Sequence, residues 1–133
     1  MSREIGKIAS MLHDEWRAQY KLTDGTYAHR ERDGVDIANT NYEDLPEKYK
    51  KENRISAEIA FEQINLAISE GKALDEDFIE ATSDILHAKW LERNAEYAKE
   101  YQKLPYAELS EEEKDKDRLI IRKAIEVYLE EIE

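Results

Sequence analysis

The sequence predicts an all-α protein of two pseudo-repeated helical hairpins, four main helices in all, with one long loop in the first repeat. The chain of 133 residues contains only four Gly and two Pro, so few positions interrupt a helix. Apolar residues recur at three- and four-residue spacing, which is the period of a helix with one buried face. The pattern Leu-His-x-x-Trp occurs twice, at residues 12–16 and 86–90. Such repetition indicates two copies of one structural unit.

A second pattern, Tyr-x-x-Leu, follows the first in each half of the chain, and an Arg follows it at the same distance. The matching positions are Tyr42, Leu45 and Arg54, and then Tyr106, Leu109 and Arg118. The first pattern returns 74 residues later and the second 64 residues later, so the halves differ in length between the Trp and the Tyr. We expect one domain over residues 1–133, made of repeat A (about 2–70) and repeat B (about 74–133).

The first helix is expected from about Ser2 to Tyr20. Its apolar stripe is Ile5, Ile8, Leu12 and Trp16. Residues 21–42 break the helical pattern, because Gly25, Gly34 and a run of Asp, Asn and Thr favour turns. Val35 to Ile37 is expected to form a short extended segment inside this loop.

The second helix is expected to begin near Pro46, a residue tolerated in a first turn, and to end before Gly71. Its expected inner face is Phe61, Ile64, Ala67 and Ile68. The third helix starts around Asp75, Glu76 and Asp77, whose carboxylates suit a helix N-terminus, and runs as far as Tyr101. Its expected apolar side is Phe78, Ile85, Trp90 and Leu91.

Leu104 and Pro105 end the third helical pattern, because Pro cannot continue a helix. The segment Ser110 to Glu113 reads as a capping box, in which Ser110 accepts from the Glu113 amide and the Glu113 side chain reaches back to the Ser110 amide. The fourth helix follows. Its expected inward residues are Ile121, Ala124, Ile125, Tyr128 and Ile132.

The order of these motifs resembles the ryanodine-receptor repeat domain, which occurs as tandem pairs and, in bacteria and phages, in free-standing form. The residues that carry the likeness are His13, Trp16, Tyr42, Leu45 and Arg54, and then His87, Trp90, Tyr106, Leu109 and Arg118. Two departures stand out: Asp24 to Tyr27 replaces the Gly-Trp pair frequent in the family's loop, and Asn41 replaces the usual Pro before Tyr42. The resemblance implies a non-catalytic interaction or ligand-binding module, with nucleotide-like ligands.

The His and Trp of each first motif share a helix face. They form either a pocket with an aromatic wall, or a core in which the Trp packs and the His satisfies a buried carbonyl. The repetition favours the second interpretation, because both copies need the same packing. Arg54 and Arg118 are expected to anchor their own copies by pairing with carboxylates or loop carbonyls, with a ligand-binding role as the second alternative.

The loop of repeat A concentrates cationic and aromatic residues in an otherwise acidic chain. These candidate ligand-binding residues are Arg17, Tyr20, Lys21, Tyr27, His29, Arg30 and Arg32. Arg can fork phosphate oxygens and Tyr can stack a base, so the cluster suits an anionic aromatic ligand. The alternative is a solvated loop whose Arg residues pair with Glu31, Asp33 and Asp36.

The net charge of −12 makes binding to nucleic-acid polymers or to an anionic membrane surface unfavourable. The chain has no Cys and three scattered His, and it lacks phosphate-loop and nucleophile motifs. We therefore expect no metal, no cofactor and no catalysis, in a cytoplasmic protein. The function predicted is a module that binds a small, nucleotide-like anionic ligand; the alternative is a protein–protein interaction module without a small ligand, and the oligomeric state stays open.

Overall fold

The computed structural model describes residues 2–32 and 34–132, and it confirms the all-α fold. The four helices are α1 (Ser2–Ala18), α2 (Glu47–Ser69), α3 (Glu76–Asn94) and α4 (Glu111–Ile132). A two-stranded antiparallel pair, β1 (Glu31–Arg32) and β2 (Val35–Asp36), lies in the long loop. Among the described helices, none combines the length and apolar character needed to cross a membrane.

The chain forms two compact units, and the division between them falls within α2. We call Met1–Ala57 unit 1 and Glu58–Glu133 unit 2. Each unit contains one copy of the Leu-His-x-x-Trp and Tyr-x-x-Leu patterns. The repeat bounds at about 2–70 and 74–133 remain a prediction.

Helix α1 buries one face in unit 1 through Ile8, Ala9 and Leu12. It ends at Ala18 and not at Tyr20, because the chain turns there into a loop that is closed by its own backbone hydrogen bonds. The Tyr20 carbonyl accepts a hydrogen bond from the Ala28 amide at 2.7 Å, which a continuing helix would not permit. The predicted stripe is therefore buried only at its centre, while Ile5 and Trp16 are half-buried.

The long loop of unit 1 is ordered by a hairpin and two 3-10 turns. Gly34 has a φ of 82°, which only glycine adopts readily, at the turn between β1 and β2. The extended segment predicted over Val35 to Ile37 is confirmed for its first two residues; Ile37 begins the 3-10 turn Ile37–Asn39. A second 3-10 turn, Tyr42–Asp44, carries the motif Tyr up to α2.

Helix α2 begins at Glu47, one residue later than Pro46, whose carbonyl accepts from the Lys50 amide. It ends where predicted. Gly71 has a φ of 71°, and the Lys72 amide donates to the Ala67 carbonyl at 2.9 Å, which closes the helix end. Phe61, Ile64 and Ala67 are buried in unit 2, but Ile68 is 44% exposed. Ile68 was predicted to face inward, and this is wrong. The buried residue that follows Ile64 on this helix is Ala67, so its neighbour Ile68 lies on the exposed side.

Helix α3 starts as predicted, with the Asp75 carboxylate accepting from the Phe78 amide at 3.0 Å. It ends at Asn94 and not at Tyr101. The Asn94 side chain donates to the Trp90 carbonyl, and the Asn94 carbonyl accepts from the amides of residues 97 and 98 in a tight turn. The predicted inner face is also wrong: Phe78, Ile85, Trp90 and Leu91 are half-buried. The buried face is Ile79, Thr82, Ser83, Leu86 and His87.

Helix α4 is capped by Ser110, whose hydroxyl accepts from the Glu113 amide at 3.2 Å. The Glu113 carboxylate pairs with Lys116 at 3.0 Å, and this differs from the predicted bond to the Ser110 amide. Of the predicted inward residues, Ile121 and Ala124 are buried, and Ile125 and Tyr128 are half-buried; the Ile132 side chain lies outside the described part. Val127, which was not among the predicted inward residues, completes the buried row.

Candidate functional site

The motif His of unit 1 holds the long loop against α1. His13 is buried, and its Nε2 lies 2.7 Å from the Thr40 carbonyl oxygen. Burial lowers the pKa of His13 below its usual value. A carbonyl only accepts, so the neutral ring carries its proton on Nε2 and donates it to Thr40. The role of His13 is therefore structural.

The motif His of unit 2 likewise holds a following loop against its own helix. His87 is buried, and its Nε2 lies 2.8 Å from the Leu104 carbonyl oxygen. In both units the accepting carbonyl belongs to the residue two before the motif Tyr. Loop anchoring is thus a sufficient reason for the repeated His, without a ligand.

The two motif Trp rings stack on these His rings, with ring centroids 5.9 Å apart for His13 and Trp16 and 6.1 Å apart for His87 and Trp90. Both Trp side chains are only half-buried, which corrects the expectation that they are core residues. The edge of Trp16 also meets the Tyr20 ring, at 5.3 Å between centroids. In unit 1, an aromatic series therefore runs from the buried His to the beginning of the loop.

Among the loop cluster, Arg17 and Tyr27 are used within the fold. Arg17 pairs with Asp14 at 3.1 Å and donates to the Thr40 carbonyl and to the Asn41 side chain. Its guanidinium lies 4.8 Å from the centre of the Tyr27 ring, which covers it. These contacts pin the end of α1 to the loop, and they leave Arg17 poorly placed to bind a ligand.

His29 is likewise engaged, because it lies between two carboxylates. Its Nε2 is 3.2 Å from Glu31, and its Nδ1 is 3.1 Å from Asp36. The Asp36 carboxylate also accepts from the Arg30 amide and the Asn39 side chain, and these bonds lower its pKa to about 2. The carboxylates proposed as partners for the loop Arg side chains therefore serve His29 and the backbone.

Arg30 and Arg32 present guanidinium groups at the surface of the loop. The Arg30 guanidinium lies 4.2 Å from the centre of the Tyr20 ring. Over residues 2–32 and 34–132, no carboxylate pairs with Arg30, Arg32 or Lys21, and the alternative pairing with Asp33 lies outside the described residues. Arg30 and Arg32 are two residues apart in an extended segment, so they fall on the same side of it.

A cavity of about 180 Å³ opens beside His13 and Trp16 in unit 1. Its other lining residues are Ile37, Leu45, Tyr49, Glu52 and Asn53. Tyr49 and Asn53 were not predicted as site residues; their spacing of four on α2 was the available signal, and nothing local in the sequence distinguishes it from ordinary helix surface. The cavity and the Arg30 side chain are linked by the rings of Trp16 and Tyr20.

A larger cavity, of about 470 Å³, lies in unit 2 around the turn between α2 and α3. It is lined by apolar side chains including Leu66, Phe78 and Ile85, together with several acidic ones. The predicted site residues do not line it. Within the described part of the chain, no group of three or more His, Asp or Glu side chains is arranged to hold a metal ion.

Comparison with protein-family models gives no match for this sequence, and comparison with characterised proteins gives none either. The resemblance to the ryanodine-receptor repeat therefore rests on the motif residues alone.

Proposed function

We propose that unit 1 is a non-catalytic binding module for a small anionic ligand that carries a flat ring, of which a nucleotide is the preferred kind. One observation carries the proposal. The Arg30 guanidinium lies on the face of Tyr20 with no carboxylate partner among the described residues, in a protein of net charge −12. Surface Arg side chains in so acidic a chain have many potential partners, and an unpaired one on a ring is suited to fork an anion.

The neighbouring cavity supports the flat-ring part of the proposal. Its volume of about 180 Å³ is below the roughly 300–1,000 Å³ of a site that encloses a drug-sized ligand. The cavity can therefore hold one ring system, stacked near Trp16, while the charged part of the ligand stays outside it. The charged part would then face Arg30 and Arg32.

The absence of catalysis is part of the proposal, and the engaged state of the titratable groups supports it. General acid–base chemistry needs a group that can take up or release a proton next to the substrate. His13 donates to Thr40, and His29 is held between Glu31 and Asp36. These groups have structural partners already, so binding is the chemistry that the site suits best.

A protein-interaction module is the second candidate, and one surface favours it. The segment between α3 and α4 exposes three large side chains, with Tyr97 82% exposed and Tyr101 and Leu104 also exposed. Tyr is enriched in protein interfaces because it contributes a large apolar ring and a polar tip. This segment belongs to unit 2, so the two candidates are separable by mutation.

We expect the double substitution Arg30→Gln and Arg32→Gln to weaken nucleotide binding by at least tenfold while leaving the melting temperature nearly unchanged. Both side chains are exposed, and exposed charges contribute only about 0–1 kcal/mol to folding, whereas each Arg fork to a phosphate contributes directly to binding. Calorimetry with a panel of nucleotides measures the affinity, and raising the salt concentration should weaken it through screening.

Arg122→Gln is the matched control, because Arg122 is an exposed Arg of unit 2 that pairs with Glu76. It should leave nucleotide binding unchanged. If the parent protein gives no heat with any nucleotide, and a protein partner is lost on Tyr97→Ala and retained by the Arg30/Arg32 double variant, the ligand proposal is wrong and the interaction module takes its place.

A further inference from the structure

The motif Arg and Tyr of unit 2 together hold one carboxylate. Arg118 forks Glu80, with Nε 2.6 Å from Oε2 and Nη2 2.8 Å from Oε1. The Tyr106 hydroxyl donates to the same Oε2 at 3.0 Å. Nη1 of Arg118 donates to Glu111 at 3.0 Å and to Asp115 at 2.8 Å. Three carboxylates thus surround Arg118, whose side chain is only 14% exposed.

Unit 1 has the corresponding Arg but lacks two of the three carboxylates that surround Arg118. By the two repeat offsets, the counterparts of Arg118, Tyr106, Glu111, Asp115 and Glu80 are Arg54, Tyr42, Glu47, Lys51 and Gly6. Glu47 pairs with Arg54, as Glu111 pairs with Arg118. The other two carboxylates are replaced by a lysine and a glycine. Arg54 is 39% exposed, and among the described residues Glu47 is the one carboxylate that it pairs with.

The motif Tyr of unit 1 has lost its acceptor as well. The Tyr42 hydroxyl is buried, and no group within the described chain accepts its proton. Its close neighbour is Arg54, whose pKa is raised by Glu47 and, to a smaller extent, by its interaction with the Tyr42 hydroxyl oxygen. A guanidinium only donates, so Arg54 cannot accept the hydroxyl proton. A buried donor without an acceptor carries a desolvation penalty. Buried polar groups in native proteins are nearly always satisfied, so a hydroxyl proton without an acceptor indicates a missing group.

The space where the missing side chain would begin is open. Apart from the adjoining residues and the local backbone of α1, no atom of the described chain lies within 4 Å of the position that a Cβ at Gly6 would take. Helix α1, which carries Gly6, packs against the turn Tyr42–Asp44, just as α3 packs against the turn Tyr106–Glu108 in unit 2. Lys50 lies 5.9 Å from the Tyr42 ring centre and adds positive charge to the same place.

We propose that Arg54 and Tyr42 bind a carboxylate from outside the chain, in the position that the Glu80 carboxylate holds in unit 2. The planar fork of Arg and one phenolic donor match the two oxygens of a carboxylate, as the internal example shows. The group comes either from a free carboxylic acid or from an acidic side chain of a partner. Arg30 and Arg32 take no part in this site, so it stands apart from the proposed nucleotide function.

Propionate is the direct probe, because it reproduces the Glu side chain beyond its Cα. In a nitrogen-15 NMR titration, we expect propionate to shift the Arg54 Nε–H signal and the backbone amide signals around Tyr42 in a saturable manner. The backbone signals measure the affinity in every variant, including Arg54→Gln, which lacks the Nε–H group. Arg54→Gln should reduce the affinity at least tenfold, and Tyr42→Phe, which removes only the hydroxyl, should reduce it several-fold. Arg122→Gln serves as the control and should leave the affinity unchanged, because Arg122 already pairs with Glu76.

Gly6→Glu supplies the carboxylate from within the chain, and it should abolish the propionate response. Gly6→Gln gives the same helix an uncharged side chain of the same length, and should retain at least part of that response. Thermal melts show that each variant is folded. A propionate response that survives in Gly6→Glu, or one that is equal in Arg54→Gln and the parent, overturns the proposal.

Two further probes fix the chemical class and the source. Inorganic phosphate that binds tenfold more tightly than propionate, at the same residues, overturns the assignment to a carboxylate. A short uncharged peptide with one central Glu distinguishes the sources. Tighter binding than propionate assigns the site to a partner's acidic side chain, and equal or weaker binding assigns it to a free acid; both results support the carboxylate site.

Discussion

Replacing Asp117 with Asn is expected to stabilise the protein at pH 8 and to have little effect near pH 4. Asp117 lies on α4, and burial raises its pKa to about 7; Glu113 adds to the shift, and Lys116 opposes it. The Asp117 carboxyl is 3.9 Å from Nδ1 of His87, which is too far for a hydrogen bond. Among the described residues, the ionised carboxylate therefore has no hydrogen-bonded partner, and its largely buried charge destabilises the folded state.

The pH dependence follows from the direction of this shift. The folded state binds the Asp117 proton more tightly than the unfolded state, whose carboxyl has its ordinary pKa of 3.8. The contribution of Asp117 to the free energy of unfolding is therefore greatest below that pKa. It falls as the pH rises towards about 7 and is constant above it. Each pKa unit corresponds to about 1.4 kcal/mol, so the gain from Asn at pH 8 reaches up to roughly 4 kcal/mol.

Unit 1 provides the matched comparison for this prediction. By the repeat offset, the counterpart of Asp117 is Asn53, which lines the small cavity beside His13. Asn53→Asp should therefore introduce a loss of stability that grows with pH, smaller than the Asp117 effect because Asn53 lines a cavity that opens to solvent. Urea unfolding from pH 4 to pH 8 measures both variants. If the Asp117→Asn gain is the same at pH 4 and pH 8, the carboxyl is not ionising in this range.

The helix boundaries that were correctly predicted share a local chemical signal. Gly71 ends α2 because its positive φ suits glycine, and Asp75 and Ser110 begin α3 and α4 through a single side-chain bond each. These are short-range events that a few letters of sequence specify. The end of α3 at Asn94 has no residue that by its type alone signals a helix end. It depends on the hydrogen bond from the Asn94 side chain to the Trp90 carbonyl. Asn also occurs inside helices elsewhere, so its presence does not predict an end.

The inner face of α3 was mispredicted because its buried residues are partly polar. Thr82, Ser83 and His87 lie in the interior, whereas Phe78 and Ile85 lie at its margin and line the larger cavity. An apolar pattern cannot identify a buried His, whose burial depends on the Leu104 carbonyl 17 residues away. The partner is specified by tertiary structure and not by helical period.

The cationic and aromatic cluster of the long loop likewise could not be fully interpreted from sequence. Its composition predicted a cationic and aromatic site, but composition cannot distinguish an Arg that anchors the loop from one that faces solvent. Arg17 is one of the anchors, through Asp14 and the Thr40 carbonyl, while Arg30 contacts the Tyr20 ring and pairs with no carboxylate among the described residues. Glu31 and Asp36, two of the three carboxylates named in the alternative interpretation as partners of the Arg side chains, pair with His29 instead. Ion pairing between near neighbours depends on backbone direction, which the hairpin sets.

Leu86→Ala is expected to lower the free energy of unfolding by about 2–5 kcal/mol. The Leu86 side chain is only 2% exposed, on the buried face of α3, and Ala would leave a cavity that the neighbouring side chains cannot fill. Leu66→Ala is the matched control, because Leu66 is 51% exposed on α2, and its loss should change stability by no more than about 0.5 kcal/mol. Urea denaturation, with the slope of free energy against urea held equal between variants, gives both values. Equal losses for the two Leu residues would contradict the burial of α3 through Leu86 and His87, and would favour the apolar face that the sequence pattern predicted.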